Sequence, residues 1–288
     1  MQTGFERIGY AYIENIVSKL KREKDASKFD NGRCLIAAGS FGMAGAAVMS
    51  GSAAVRTGAG LVTYYAKREI IPVLQISVPE AMAKPIDENI DYGKYDAIAM
   101  GPGLLCDEGA YRVEEAIATY NGPLVLDAEA LNTVRRRNLF GALKERRSRG
   151  GATVITPHEG EAAGMLGTDR KNVGKGARGS AARALREKTG ATVVMKGSGT
   201  LVAYSDTDRI MVNTTGGPGL ATGGSGDVLT GIIAALLAQG IEPDEAAAAG
   251  VYIHGLAGDL ASYENGEISV RAMDIVGKLP GVISGIAG

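Results

Sequence analysis

From Cys34 to Met195 short apolar runs alternate with helical patterns, and this alternation limits most strongly what the chain can fold into. Cys34–Ala38, Leu61–Tyr65, Ala97–Met100, Leu124–Leu126, Thr153–Ile155 and Thr192–Met195 read as strands. Helical spacing lies between them, at Ala44–Thr57, Gly109–Tyr120, Phe140–Arg149 and Gly176–Lys188. Strands joined by helices close as right-handed crossovers onto a mostly parallel central sheet flanked by helices, an α/β fold. The pattern then changes. Thr200–Tyr204 and Arg209–Val212 flank Ser205-Asp206-Thr207-Asp208 and predict a hairpin at one sheet edge. Helices follow at Val228–Gln239, Pro243–Ser262 and near Val270–Ile283. With no internal repeat and no long linker, residues 1–288 read as a single domain. Ile8, Tyr12, Ile16 and Leu20 recur at helical spacing, so the first 30 residues carry an amphipathic helix.

Composition narrows the function classes. A net charge of −1 gives no global field to attract nucleic acid or an anionic membrane. The basic clusters Arg135-Arg136-Arg137 and Lys144 to Arg149 read as solvated faces of one helix. Cys34 and Cys106 lie in apolar segments and suit buried thiols better than a disulfide. His158 and His254 are the only histidines, too few for a zinc cluster with those cysteines. Met1 to Arg33 is charged and has no apolar signal core, and Val228–Leu237 is too short to span a bilayer. A soluble, cytoplasmic protein is expected.

Glycine, at 42 residues, is about twice the usual share and gathers at strand ends. Between Asn213 and Asp227 six glycines precede one carboxylate, and a charge-free apolar run follows. If that run is a buried helix, its first free amides open at Gly223-Gly224-Ser225-Gly226. Unpaired donors and the positive helix end make such a corner an anion hole. Asp227 would repel a phosphate there, which points to chemical use as a base on a hydroxyl meeting a phosphoryl group. The alternative is an ordinary helix cap. Lys196-Gly197-Ser198-Gly199-Thr200, after a buried strand, offers a cation, hydroxyls and backbone donors suited to nucleotide phosphates. An ordinary glycine turn with a solvated lysine explains the same residues. Neither a Walker A loop nor a dinucleotide fingerprint is present: Gly174-Lys175 is followed by Gly176, and Gly39, Gly42 and Gly45 have the wrong spacing.

Asn213 to Gly231 resembles the signature of the ADP/ATP-dependent NAD(P)H-hydrate dehydratases, a branch of the ribokinase-like superfamily. Thr214, Gly217, Leu220 and Ser225 replace the family's Pro, Asn, Met and Thr, and none of these changes removes a corner glycine or the acid. Gly39-Ser40 through Gly45-Ala46-Ala47, Gly101-Pro102-Gly103, Thr156 to Glu161, and Lys196 to Thr200 match further motifs in order. The resemblance implies a ribokinase-like three-layer fold. The family often carries an epimerase domain at the N-terminus, but about 30 residues before the first strand are too few for one, and none is expected here. It implies a lyase that uses ADP or ATP, with Mg2+, to phosphorylate the hydroxyl of hydrated NADH or NADPH and eliminate phosphate. It also implies a homo-oligomer, a tetramer, to which the N-terminal helix would contribute.

The same resemblance gives Asp227 the catalytic role and places Ala46, Gly103, His158 and Asp227 at the substrate. Lys196, Gly197, Ser198, Gly199, Thr200 and Gly226 are placed along the nucleotide. On the residues alone, Ala46 equally suits helix packing, and His158 a loop hydrogen bond. Glu161 stands where the superfamily organises magnesium through water, or serves as a first-turn helix acid. Asp127-Ala128-Glu129 resembles the family's strand end, where Asp127 and Asn132 would hold the loop. Two rival functions remain: a small-molecule kinase for a vitamin-precursor alcohol, and a non-catalytic nucleotide-sensing module.

Overall fold

The computed structural model describes residues 5–20, 22–174 and 176–288; the start of the N-terminal segment, Lys21 and Lys175 lie outside them. The strands are β1 (Glu6–Arg7), β2 (Arg33–Ala37), β3 (Leu61–Ala66), β4 (Met82–Pro85), β5 (Ala97–Met100), β6 (Leu124–Leu126), β7 (Thr153–Ile155), β8 (Thr192–Met195), β9 (Leu201–Ala203) and β10 (Ile210–Val212). The helices are α1 (Tyr10–Val17), α2 (Ala44–Arg56), α3 (Ile71–Ser77), α4 (Asp107–Thr119), α5 (Glu129–Arg136), α6 (Phe140–Ser148), α7 (Glu159–Leu166), α8 (Arg178–Thr189), α9 (Ser225–Ala238), α10 (Pro243–Asn265) and α11 (Ala272–Ala287).

All ten strands form one sheet in the order β1-β10-β9-β8-β7-β6-β5-β2-β3-β4. From β8 to β4 every pairing is parallel, while β8–β9 and β9–β10 are antiparallel. The sheet is buried on both faces, which is why its strands read as unbroken apolar runs. In β2, Cys34 and Ile36 enter the core under α2 and α9, and Leu35 and Ala37 enter the opposite core under α4 to α8. This gives the three layers. The chain runs outward from β2 through β3 to β4, then returns to place β5 on the other side of β2. Ligands in open α/β sheets bind beyond the strand carboxyl ends at such a reversal. Gly39 and Gly101 follow these two strands directly.

Several expectations change. The hairpin is next to last, because β1 pairs parallel outside β10; two residues are too few to show a strand period. The N-terminal helix is only Tyr10–Val17, and Ile13, Ile16 and Val17 are buried in the chain's own core. These residues pack against α10 and α11. The basic clusters belong to two helices, α5 and α6, and Arg146 is fully buried rather than solvated. Its guanidinium lies over the Tyr120 ring and donates to the Gly122 carbonyl. Cys34 and Cys106 are free thiols. Among the described residues no helix is long and apolar enough to cross a membrane.

With no Trp and four Phe, the core depends on close approach of small residues. The packing of α2 on α9 shows this. A Cβ on Gly231 would lie 2.0 Å from the Ser50 carbonyl oxygen and 2.9 Å from the Ala53 Cβ. Gly231→Ala must therefore push α9, which begins the glycine corner, away from α2. We expect a loss of about 1–3 kcal/mol, the usual cost of overpacking, read as a lower midpoint in denaturant unfolding. An unchanged midpoint would show that the interface yields freely.

Candidate active site

The loops after β2 and β5 are bonded to each other. Gly39 N donates to the Pro102 carbonyl at 2.8 Å, and Ser40 Oγ to the Gly103 carbonyl at 2.9 Å. Ala46 sits in the first turn of α2, and a Cβ on Gly103 would stand 2.9 Å from its methyl group. The two small residues expected at the substrate are thus in contact, and their small size lets the loops close on each other. Phe41, in the loop after β2, is 85% exposed. Gly101 abuts the end of β6: a Cβ there would collide with the Asp127 carbonyl at 1.8 Å.

Asp127 is the most enclosed acid of the site, 1% exposed. Its Oδ1 accepts from Lys196 Nζ at 2.7 Å and its Oδ2 from Thr230 Oγ1 at 2.8 Å. The next residue, Ala128, has φ 47° and ψ −114°, a left-handed conformation foreign to alanine that costs on the order of 1–3 kcal/mol. Those anchored bonds of Asp127 hold it there. Glu129 accepts from Arg136 and Asn132 on its own helix.

Lys196 was expected at the nucleotide phosphates, but its ammonium is turned inward. Besides Asp127 it faces Glu161 Oε2 at 3.9 Å, and it lies 3.4 Å from where a Cβ on Gly226 would sit. Burial opposes its charge, but Asp127 and Glu161 outweigh burial and hold the ammonium above its ordinary pKa. A cation thus lies beneath Gly226. Burial raises the Glu161 carboxyl, against the pull of Lys196.

The glycine corner forms as the apolar run predicts. Gly224 is the residue before α9, with φ 89°, and a Cβ there would strike Met49 Sδ at 2.1 Å. Position and packing both require glycine. No side chain caps this helix, and the Gly226 and Asp227 amides donate to no acceptor among the described residues. They are the open donors of a helix N-terminus. Asp227 is therefore a first-turn acid and not the cap. Burial, and next the charge of Asp127, push its carboxyl up to about 7, with Lys196 opposing. Ser225 Oγ lies 3.1 Å from His254 Nε2 on α10. Burial holds that imidazole down at about 4, so it is neutral near pH 7. The loop before the corner is pinned to α10 through Asn213 Nδ2 on the Val251 carbonyl and Gly216 N on Asp259.

His158 caps α7. Its Nδ1 accepts from Gly160 N at 3.0 Å and Glu161 N at 3.2 Å, while Glu161 Oε2 accepts from His158 N at 2.8 Å. This reciprocal capping box makes Nδ1 an acceptor, so the proton sits on Nε2. That nitrogen lies 3.5 Å from Glu161 Oε1, on a side chain that is 59% exposed. Gly197 and Ser198 are exposed and Gly199 and Thr200 half-buried after β8, at the same end of the sheet.

Thr230, His254 and the central position of Asp127 were not readable from the chain. Thr230 and His254 lie inside helical patterns that spacing assigns to the core, and burial is what the structure confirms for both. Hollows of about 460 and 650 Å³ open elsewhere, the first beside Phe29 and Gln239, the second beside Arg33 and Lys84.

Asp227 carries a stability consequence. Its folded pKa lies above the unfolded value, so the folded chain holds the extra proton between pH 4 and 7. Stability from this group falls as pH rises through that window. Asp227→Asn removes the penalty. Its melting temperature should exceed wild type by a few degrees at pH 8, with the gap closing toward pH 4. An equal or lower midpoint at pH 8 would place the carboxylate in a favourable environment after all.

A family model described as NAD(P)H-hydrate dehydratase matches residues 34–281. The bifunctional NAD(P)H-hydrate repair enzyme of Moorella thermoacetica is 37% identical over 280 residues, covering 91% of this chain and 51% of that protein. The chain spans about half the length of the bifunctional relatives. The ADP-dependent (S)-NAD(P)H-hydrate dehydratase of Neisseria meningitidis is 40% identical over 246 residues, covering 83% of this chain and 80% of that protein. The ADP/ATP-dependent NAD(P)H-hydrate dehydratase of Bacillus subtilis, crystallised with ATP and Mg2+, superposes with a TM-score of 0.85 at 29% identity, over 99% of each chain. That likeness extends across the ribokinase-like three-layer sheet and the five strand-end loops described above. The match over residues 34–281 spans the glycine corner, the Lys196–Asp127 pair and the loops after β2 and β5, and the chain belongs to the NAD(P)H-hydrate dehydratase family.

Proposed function

We propose that the chain catalyses the ADP- or ATP-dependent dehydration of (S)-NAD(P)H hydrate. The observation that carries this reading is Asp227, pushed up to about 7 beside open helix amides. A carboxylate of that affinity takes a hydroxyl proton near neutral pH. The hydroxyl oxygen attacks the terminal phosphorus of the nucleotide, and the bond to the bridging oxygen breaks with its electron pair leaving on the nucleotide. The Gly223, Gly224, Ser225 and Gly226 corner, with the Lys196 charge beneath it, holds the negative charge developing on the transferred group. The ring nitrogen's electron pair then forms the new bond as inorganic phosphate departs with the former hydroxyl oxygen. Loss of a ring proton restores the dihydropyridine. Phosphorylation converts a poor leaving group into a good one.

The substrate ring would lie against the small residues Ala46 and Gly103, themselves buried against each other, and the exposed ring of Phe41. His158 Nε2–H is a donor for the substrate's polar groups. Along the nucleotide lie Gly197, Ser198, Gly199, Thr200 and Gly226. The donor set suits Mg2+ carried by the nucleotide, since that ion keeps waters and takes one or two carboxylates with substrate phosphates. Glu161 would hold it through water; the ion would neutralise phosphate charge.

Hydrated NADPH, which lacks the near-ultraviolet absorbance of the reduced ring, should regain it in step with phosphate release. Both the nucleotide and the hydrate should be required. Accumulation of a stable phosphorylated product without recovered absorbance would make the protein a kinase. Nucleotide binding with neither signal would make it a sensor. In the same assay Asp227→Asn should lose on the order of 10²–10⁴ in turnover.

The pH profile of kcat/KM is a separate check. Asp227 works deprotonated, so the rate should climb with pH through about 7. Lys196 lowers that value, and Lys196→Met should move the ascending limb to higher pH. An unmoved limb would detach Lys196 from the base.

A further inference from the structure

Arg178 breaks a local rule. It is the first residue of α8, a cation at the positive end of a helix that has no first-turn acid and no side-chain cap. Residues that violate local preference are expected where function compensates. Its guanidinium reaches across to the loop after β8. Nη1 donates to the Ser198 carbonyl at 2.6 Å, and Nη2 to the Met195 carbonyl at 2.9 Å and the Gly199 carbonyl at 3.2 Å. Three carbonyls of one five-residue turn thus converge on one planar cation. A Cβ on Gly197, whose φ is 147°, would lie 3.0 Å from the guanidinium carbon, so the loop closes over Arg178 only with glycine there.

The consequence follows from peptide geometry. In a trans peptide the C=O and the following N–H point in opposite directions. Carbonyls of Ser198 and Gly199 turned toward Arg178 direct the amides of Gly199 and Thr200 away from it. Those two amides donate to no acceptor among the described residues. The Lys196 amide, directed by the Met195 carbonyl in the same way, is taken by the Pro157 carbonyl at 2.9 Å. The loop is therefore an array of outward donors held by an inward clamp.

We propose that Arg178 is the positioning residue of the nucleotide subsite, turning the Gly199 and Thr200 amides outward to receive phosphate oxygens of ADP or ATP. This rests on the nucleotide dependence proposed above. The guanidinium itself touches carbonyls and not ligand. Lysine, a point charge without the planar fork, cannot hold three carbonyls in this arrangement.

The test compares wild type, Arg178→Ala and Arg178→Lys, by calorimetric titration with ADP and ATP and by steady-state kinetics. In Arg178→Ala the nucleotide Kd and KM should rise about tenfold or more, the scale of a lost charge-assisted hydrogen bond. The hydrate KM and the kcat at saturating nucleotide should stay within about threefold of wild type. Arg178→Lys should fall between the two, and millimolar methylguanidinium should restore part of the nucleotide affinity of Arg178→Ala. A nucleotide KM unchanged in Arg178→Ala overturns the proposal. So does a parallel change in kcat and both KM values with a lowered melting temperature, because that is scaffold damage. If Arg178→Ala does not fold, Arg178→Lys and Gly197→Ala decide: wild-type nucleotide affinity in both overturns it. Wild type that binds neither ADP nor ATP removes the nucleotide reading and this inference together. Wild type that binds while the variants match it removes this inference alone.

Discussion

The buried pair of Lys196 and Asp127 is the interaction on which the site depends. Asp127 ends β6 and Lys196 follows β8, with β7 between them, so their bond ties strand ends that are not neighbours. A buried ion pair returns little net stability, since desolvation offsets its attraction. It does fix position. Asp127 also takes Thr230 on α9, which places the glycine corner relative to the sheet. Lys196 faces Glu161, whose own carboxylate completes the cap of α7 with His158. One pair of charges thereby sets Asp227, the glycine corner and His158 in a single frame.

The same charges prepare the base. Burial and Asp127 both raise Asp227, and Lys196 restrains it. Without the cation, the acids of this cluster would share one low-dielectric space and hold their protons. Without Asp127, the ammonium would be a buried charge with only the more distant Glu161. The cluster is thus balanced so that Asp227 titrates near neutrality. A carboxylate tuned in this way is what acid–base sites require.

Much of the fold was legible because its strands are buried on both faces. Unbroken apolar runs mark β2, β5 and β8 with sharp limits, and the glycines after them mark the functional edge. What escaped had weak local signals. β1 and β4 are short or alternate in exposure, and α5 and α7 follow strands so closely that their first turns read as loop. Of the site, the glycine corner was legible because backbone approach leaves a residue signature. The inward turn of Lys196 was not, since a lysine after a strand reads alike whether its side chain goes to solvent or to a buried acid. Arg178 and Thr230 sit within helical patterns, and only tertiary contact separates them from their neighbours.

His158 shows why a structural role and a functional one need not compete. Its Nδ1 is used up by two amides of α7, which is the ordinary loop role that the residue alone suggests. That use fixes the tautomer and leaves Nε2–H beside Glu161 Oε1, at 3.5 Å, on a ring held at a rigid helix start. A solvated loop histidine would reach the same ligand only after losing ring and backbone freedom, and would exchange its proton between two nitrogens. The cap removes both costs in advance. Asn at this position would also cap the helix, because its side-chain oxygen accepts from the same amides. It would not carry a donor as far as the imidazole does. The structural bond is what makes this nitrogen a defined donor.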